Sequence, residues 1–428
     1  MARTPSAWLR PPGRRPFAPR LRVRYDAPMT ASTPAILGGP AAFPDRVHLL
    51  RPTLPPFADL EPTLRALYAS GIITKGPVLA DYERALAGHL GVRHALGVSS
   101  CTAGLMLVFD RYRGAEVVLP SFTFMATAMA AVWAGLRPVF ADIDPETWCL
   151  DPARAAEAMT PQTRVVVPVH VFGAPADVEA FDELSRRRGA PVVYDAAHGF
   201  GALHDGRPVG AAGLGQVFST SPTKLLITGE GGVVATDDDA LAEHVAVGRE
   251  YGNPGTYDPV FVGLNARLPE AGALMGLAGL DLLEAEAQRR NALAAQYREL
   301  LADVPGVTVQ KIRAHDRSSV KDFSIRVAAA GFGLARDALA AALAAEGVDT
   351  RAYYVPPVHR TTAFARTGPS FEERLPVTCA LADEVLTLPA YGRMGEADVE
   401  RVARCIIAIR RHAGVVREAI GTKRRPRE

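Results

Sequence analysis

The sequence is poor in cysteine, and its few cysteines show no pattern. Across 428 residues there are four, Cys101, Cys149, Cys379 and Cys405, with no C-x-x-C pair. Such scatter argues against a zinc ribbon or a disulfide framework, leaves the four as structural thiols and fits a reducing cytoplasm. Long apolar runs are missing too. The best, Phe124 to Leu136, is interrupted by Thr127 and small residues and falls short of the roughly 20 residues a membrane span needs. Charge of either sign is in no large excess: 22% of residues are charged and the net charge is +2, which gives no case for nucleic acid binding. No H-E-x-x-H is present. Gly199-Phe-Gly201-Ala-Leu-His204 lacks the third glycine of a dinucleotide fingerprint, and Gly229-Glu-Gly-Gly232 is not followed by Lys and Ser/Thr as in a P-loop. Metalloprotease chemistry and nucleotide hydrolysis are therefore unsupported.

What is present is enough hydrophobic material, 48% of the chain, to bury a large core, and a length that implies two domains. The first 28 residues stand apart. They hold seven arginines against Asp26 alone, so the remainder carries a net charge of −4. Six prolines there would break the amphipathic helix of a transit peptide, and no apolar secretion signal precedes them. The expectation is a disordered extension over 1–45, or a start at Met29. A large domain is then expected over 46–285, a small C-terminal domain over 286–420, and a basic tail over 421–428.

From about Pro52 the pattern becomes globular. Pro77 suits the first position of a helix whose apolar face is Val78, Leu79, Tyr82, Leu86 and Leu90. Short Val-rich runs at 116–119, 138–141, 164–169, 191–194, 216–219 and 232–236 follow. The early ones alternate with helical stretches at 124–134, from Pro152, and at 178–187. That alternation implies an α/β fold with a mostly parallel sheet between helices, which binds ligands beyond the carboxyl ends of its strands. A long helix at 269–301 leads to a smaller α+β region with strands at 307–312 and 321–327 and helices at 336–346 and 396–411.

The chemistry gathers around Ser219 to Gly232, STSPTKLLITGEGG. Lys224 follows a strand, sits on a Ser/Thr/Pro turn and precedes clustered glycines, a setting for covalent attachment of pyridoxal phosphate; the plain alternative is a surface lysine. Asp195 ends the run Pro-Val-Val-Tyr at a strand's carboxyl end. Alone it reads equally as a helix cap. Paired with Lys224 it is the carboxylate that keeps a pyridine nitrogen protonated. His198 is placed to meet the cofactor's phenolic oxygen, or is structural. The small-residue turn Val98 to Gly104 offers backbone N–H groups and the Thr102 hydroxyl to a phosphate, and Ser219 offers another hydroxyl. Phe124, after a strand, is placed either to stack on the ring or to join the core.

In chain order, GIITKGP, SSCTAGL, PSFTF, PVFADIDPETW, VVPVHVFG, DAAHGFGA, the Lys224 stretch, GLNARLPE and YYVPPVH resemble the DegT/StrS-type sugar aminotransferases over about Pro52 to Ile409. The resemblance implies the fold type I architecture and pyridoxal 5'-phosphate as cofactor. It implies Lys224 as covalent anchor and proton carrier, Asp195 under the pyridine nitrogen, Phe124 on the ring and His198 by its oxygen. It further implies Thr102, Ala103 and Ser219 at the phosphate, with Asn265 reaching the phosphate of a neighbouring subunit, and hence a homodimer with shared active sites. Tyr354 and His359 match positions that close over substrate, and Thr74 and Lys75 the loop at the mouth. Two departures and one retained residue stand out. Cys101 replaces the usual glycine of the phosphate turn, Thr220-Ser221 replaces a bulkier pair, and the retained lysine weighs against the family's sugar dehydratases.

The reaction implied is a ping-pong amine transfer from L-glutamate or L-glutamine to a keto-sugar, most simply one linked to a nucleotide, in a cytoplasmic enzyme of amino-sugar biosynthesis. A keto-cyclitol acceptor, an eliminase or isomerase on the same scaffold, and a non-enzymatic regulator are the alternatives. Arg267, Lys75 and Arg351 are the cations available to a sugar nucleotide's phosphates.

Overall fold

The computed structural model describes residues 33–365 and 371–423. The Arg-rich stretch 1–28, the Met29 start and the end of the basic tail lie outside the described residues. In chain order the helices of the first 301 residues are α1 (Phe57–Ser70), α2 (Pro77–Leu90), α3 (Cys101–Asp110), α4 (Ala126–Trp133), α5 (Pro152–Ala158), α6 (Val178–Arg188), α7 (Asp239–Gly248) and α8 (Glu270–Leu301). The strands are β1 (His94–Val98), β2 (Glu116–Pro120), β3 (Arg137–Ala141), β4 (Thr163–Val166), β5 (Val193–Asp195), β6 (Leu203–His204), β7 (Arg207–Pro208), β8 (Gly215–Ser219), β9 (Gly232–Thr236), β10 (Val307–Val309), β11 (Asp316–Arg317), β12 (Phe323–Val327) and β13 (Val385–Leu388).

The ladders β1-β9-β8-β5 and β3-β2-β4 are joined by parallel bridges Val166 to Val192 and Val169 to Asp195. The result is one sheet in the order β3-β2-β4-β5-β8-β9-β1. All its pairings are parallel except those of β9 with β8 and β1. Its strands are continuous in Val because both faces are covered by helices: Val117, Val118, Val193, Val217, Val233 and Val234 are fully buried. The strand expected over 164–169 stops at Val166. Pro168, which has no N–H, interrupts the ladder, and the chain leaves the sheet toward Phe172. β1, α1, α7 and β13 are not among the expected elements. β1, HALGV, is short with a glycine in its interior, and α1 contains Pro62, so both run against propensity.

On α2 the expected face is buried at Leu79, Tyr82, Leu86 and Leu90, with Val78 half-buried. Its start is capped from far along the chain. The fully buried Glu270 carboxylate accepts hydrogen bonds from the amides of Gly76 (2.8 Å), Val78 (2.9 Å) and Leu79 (3.3 Å), satisfying donors that every helix start leaves open. Gly76 has no side chain to do this, and a Cβ there would lie 2.8 Å from the Glu270 Oε2.

Glu270 opens α8, which spans 32 residues and about 48 Å at 1.5 Å per residue. Ala273, Leu283 and Ala287 pack into the core beneath the seven-stranded sheet. Leu293, Ala294, Tyr297 and Leu301 pack into a second core with Phe323, Ile325, Leu386 and Ile406. The helix passes from one core to the other between Ala287 and Leu293. That second core is built on the antiparallel sheet β10-β12-β13 and the helices Arg336–Ala345 and Glu396–Arg411. Within the expected extension 1–45, the described residues 33–45 pack here. Phe43 is buried in this core and its amide donates to Glu346 O at 2.9 Å. Among the described residues, no helix is long and apolar enough to cross a membrane.

Candidate active site

The parallel strands end on one side, and four of them deliver polar groups there, where open α/β sheets bind ligands. β5 ends in Asp195, β8 in Ser219 and the turn carrying Lys224. β2 runs into the Pro120 to Phe124 turn before α4, and the chain after β1 turns through Ser100 into α3. Around these ends lies a cavity of about 390 Å³ lined by Ser100, Cys101, Thr102, Phe124, Asp195, His198, Ser219 and Lys224 among others.

Asp195 is 4% exposed. Its Oδ2 accepts a hydrogen bond from Thr127 Oγ1 at 2.7 Å and its Oδ1 one from the Ala197 amide at 3.0 Å. Burial raises its pKa, opposed by those two hydrogen bonds and by Lys224. An added cation beside it would restore the charged form. The Lys224 side-chain amine has no hydrogen bond or ion pair among the described residues, and its pKa is pushed down to about 8, first by burial and then by the charge of Lys321. His198 is buried, its Nδ1 has no hydrogen-bond partner, and burial followed by Lys224 and Lys321 holds it well below its ordinary pKa. It is therefore a neutral ring at pH 7.

At the start of α3, Ser100 Oγ accepts from the Ala103 amide at 3.0 Å. The Ala103 N–H is thus occupied by the helix cap, and Ala103 does not line the cavity, whereas Thr102 does. Cys101 sits in the first helical turn without a left-handed backbone, so the absence of the usual glycine costs no strain. Its thiol lies 3.4 Å from Val217 O. The close approach is made instead by Gly232, where a Cβ would lie 2.5 Å from the Cys101 backbone nitrogen. Of the Thr220-Ser221 pair, Thr220 is fully buried with its hydroxyl 2.7 Å from that of Thr228, and only Ser221 reaches the cavity.

The expected substrate residues divide. Tyr354 lines the cavity, 8% exposed and stacked on Phe172 at 5.6 Å between centroids. His359 does not line it. Its Nδ1 is 2.6 Å from Ser121 Oγ and its Nε2 faces Glu372 and the Cys379 thiol. Thr74, Lys75, Asn265 and Arg267 lie together and do not line the cavity. Thr74 bridges to Pro269 and Asn265 to Glu250, and Lys75 (3.2 Å) and Arg267 (3.1 Å) both pair with Glu250 Oε2. Arg351 is exposed on the bridge to Thr387.

Other residues in and beside the cavity escaped the sequence reading. Thr127 showed only as a polar interruption of an apolar run. Lys321 and Asp322 are a charged pair just ahead of an apolar strand, and Tyr353 precedes Tyr354; all three line the cavity. Their one sequence signal is charge where β12 is about to be buried.

These residues fit a phosphorylated pyridine aldehyde. A carboxylate that burial disfavours needs a cation, an orphaned neutral imidazole needs a partner, and an unpaired low-pKa amine is a nucleophile. Phe124, 53% exposed at the cavity, offers a ring face. Residues 58–407 match the DegT/DnrJ/EryC1/StrS aminotransferase family. Among solved structures, DesI, determined in the presence of its TDP-sugar product, is 37% identical over 92% of this chain and 99% of its own, with a TM-score of 0.84. DesV of S. venezuelae, determined in complex with a ketimine intermediate, is 34% identical over 83% and 95%, with a TM-score of 0.77. 3-Amino-5-hydroxybenzoic acid synthase is 30% identical over 84% and 98%, with a TM-score of 0.78. The chain belongs to the DegT/DnrJ/EryC1/StrS family and is a fold type I, pyridoxal phosphate-dependent aminotransferase.

Proposed function

We propose that this aminotransferase moves an amino group from L-glutamate or L-glutamine to a nucleotide-linked keto-sugar. The observation that carries the reaction is the unpaired Lys224 amine in one cavity with the buried Asp195 carboxylate. Likeness to DesI, determined with a TDP-sugar product, supports the acceptor class. When bound, the cofactor supplies a carbonyl for covalent capture of amines and a protonated ring that accepts electrons.

In this reading Lys224 Nζ would hold the cofactor and, as a free amine, would carry the proton from the substrate carbon. A base with a pKa near the working pH suits that task. Asp195 would accept the pyridinium N–H, while Thr127 and the Ala197 amide keep its carboxylate aimed. His198 Nδ1 would meet the phenolic oxygen, Phe124 would cover one ring face, and Thr102 and Ser219 would mark the phosphate end. Asn265, Thr74 and Lys75 complete the cavity of a second copy. Ile73, Val260 and Val262, flanking them, are 63%, 68% and 87% exposed, an apolar patch suited to a homodimer interface. The division into a large domain over 46–285 and a small one over 286–420 follows the passage of α8 between two cores.

A depressed lysine pKa has a direct kinetic sign. The neutral amine is the nucleophile, and it forms above about pH 8 rather than near the ordinary 10.5. Covalent capture of pyridoxal phosphate by the cofactor-free protein, followed by visible absorbance, is expected to quicken with pH and level off above about 8. A capture rate still climbing tenfold per unit at pH 10 would contradict this.

The acceptor is tested by a half-reaction. Enzyme loaded with pyridoxamine phosphate is mixed with a TDP-linked keto-deoxyhexose or with a keto-cyclitol, and the return of visible absorbance is recorded. The sugar nucleotide is expected to restore it, with ¹⁵N from labelled glutamate appearing in the sugar product. Restoration by the cyclitol alone, or sugar conversion without label, overturns the reading.

A further inference from the structure

We propose that Lys321 and Asp322 form a donor–acceptor pair that reads two neighbouring hydroxyl groups of the acceptor sugar. The inference rests on the sugar reading above and deepens it. The two residues stand just before β12, whose Phe323, Ser324 and Ile325 are buried, at a point where charged side chains would ordinarily turn to solvent. Instead their side chains are 6% and 8% exposed and line the same cavity as Lys224.

The fold fixes where they point. The Lys321 amide donates to Phe172 O at 3.0 Å and the Ser319 amide to Gly173 O at 3.1 Å. Ser319 Oγ donates to His198 O at 2.7 Å. Gly173 has φ +95°, and a Cβ on it would lie 2.0 Å from Ser319 Oγ. The segment is thereby fastened to the loop after β4 and to the residue beside Lys224, so the pair is positioned by the cofactor-binding sheet itself.

Lys321 Nζ lies 2.8 Å from each Asp322 oxygen, and among the described residues Asp322 has no other hydrogen-bond partner. An ammonium carries three donors and a carboxylate about four acceptor sites. Most of that capacity is unspent, and taking both charges out of water is costly unless further hydrogen bonds satisfy them. A ligand presenting an acceptor to Lys321 beside a donor to Asp322 meets the need, and adjacent hydroxyl groups do so without introducing charge. An amino-acid donor does not: its carboxylates would suit Lys321, but that charge is already matched, and they would face Asp322. The ring of Tyr353, 5.7 Å from Lys321 Nζ, adds an aromatic surface of the kind that packs on the C–H face of a sugar.

The test is calorimetric and uses the cofactor-loaded protein. Wild type, Asp322→Asn and Lys321→Met are titrated with TDP, with a TDP-linked amino-deoxyhexose, and with its counterparts lacking one ring hydroxyl. Wild type is expected to bind the amino sugar nucleotide more tightly than TDP and to lose affinity by roughly 30-fold when the read hydroxyl is missing. Each variant is expected to lose roughly 30-fold for the full ligand, to hold TDP within about threefold, and to be nearly indifferent to the missing hydroxyl. Equal losses for TDP and sugar nucleotide would assign the pair a structural role and overturn the inference. So would wild-type indifference to each hydroxyl, which needs no variant to fold. A wild type that binds the sugar nucleotide no better than TDP removes the sugar reading itself, and this inference with it.

Discussion

Lys224→Ala is expected to abolish the visible absorbance of covalently held cofactor and to cut turnover by about 10⁴-fold or more, since one group serves as both anchor and proton carrier. That loss corresponds to about 5.4 kcal/mol of barrier. The structure explains why no neighbour substitutes. His198 is held neutral by burial, and the Cys101 thiol is pushed well above its ordinary pKa by burial and then by Asp195. Lys321 is locked on Asp322 at 2.8 Å. No other free amine lines the cavity among the described residues. The measurement is single-turnover kinetics with an absorbance spectrum of the reconstituted variant. Turnover within tenfold of wild type would remove Lys224 from the mechanism. A small exogenous amine restoring part of the lost rate would support the proton-carrier role over a purely structural one.

Asp195→Asn is expected to lower turnover by about 10²- to 10³-fold while the protein still folds and takes up cofactor. Asparagine keeps the shape of the carboxylate and accepts through its carbonyl, so either Thr127 or the Ala197 amide retains its bond. It cannot supply a negative charge opposite a pyridine nitrogen. Because burial raises the Asp195 pKa in the cofactor-free site, the pair has to be formed for the charge to be held, and the deficit should not recover at any pH. Thermal unfolding and the circular dichroism of bound cofactor separate this chemical loss from misfolding. An Asn variant with wild-type turnover would remove Asp195 from the mechanism and leave it as the acceptor that holds Thr127 and the turn at Ala197. The helix cap that its sequence position also permits is excluded, because no helix follows β5 before α7 among the described residues.

Much of this was legible along the chain. The Val-rich runs mark all but one strand of the main sheet because a parallel strand buried on both faces has few residues to choose from. β1 was missed because its glycine, Gly97, sits where a side chain would meet Leu79 and Leu268, which is a packing demand and not a local propensity. Lys224 and Asp195 stood out because Asp195 ends a strand and Lys224 lies on the turn that follows one, and a strand's carboxyl end in such a sheet faces the ligand. Thr127 was visible only as a blemish in an apolar run. Its purpose depends on a 2.7 Å contact with a residue 68 positions away. Ala103 illustrates the opposite case: the small-residue turn does lead into α3 beside the cavity, but the local competition won by Ser100 for the Ala103 amide is a matter of geometry.

Most of the element order, and the candidate lysine and carboxylate, are readable along the chain, since periodicity, turn chemistry and strand ends are properties of neighbouring residues. Tertiary structure alone decided which distant groups meet them. Glu270 caps a helix that starts 193 residues earlier. The loop at 319–322 is fastened to the main sheet through Gly173 and His198. Lys321 then enters the cavity of Lys224, where its charge helps to depress the lysine's pKa. Contacts of this kind depend on the three-dimensional path between residues, which no local pattern encodes, and they shape the cavity around Lys224.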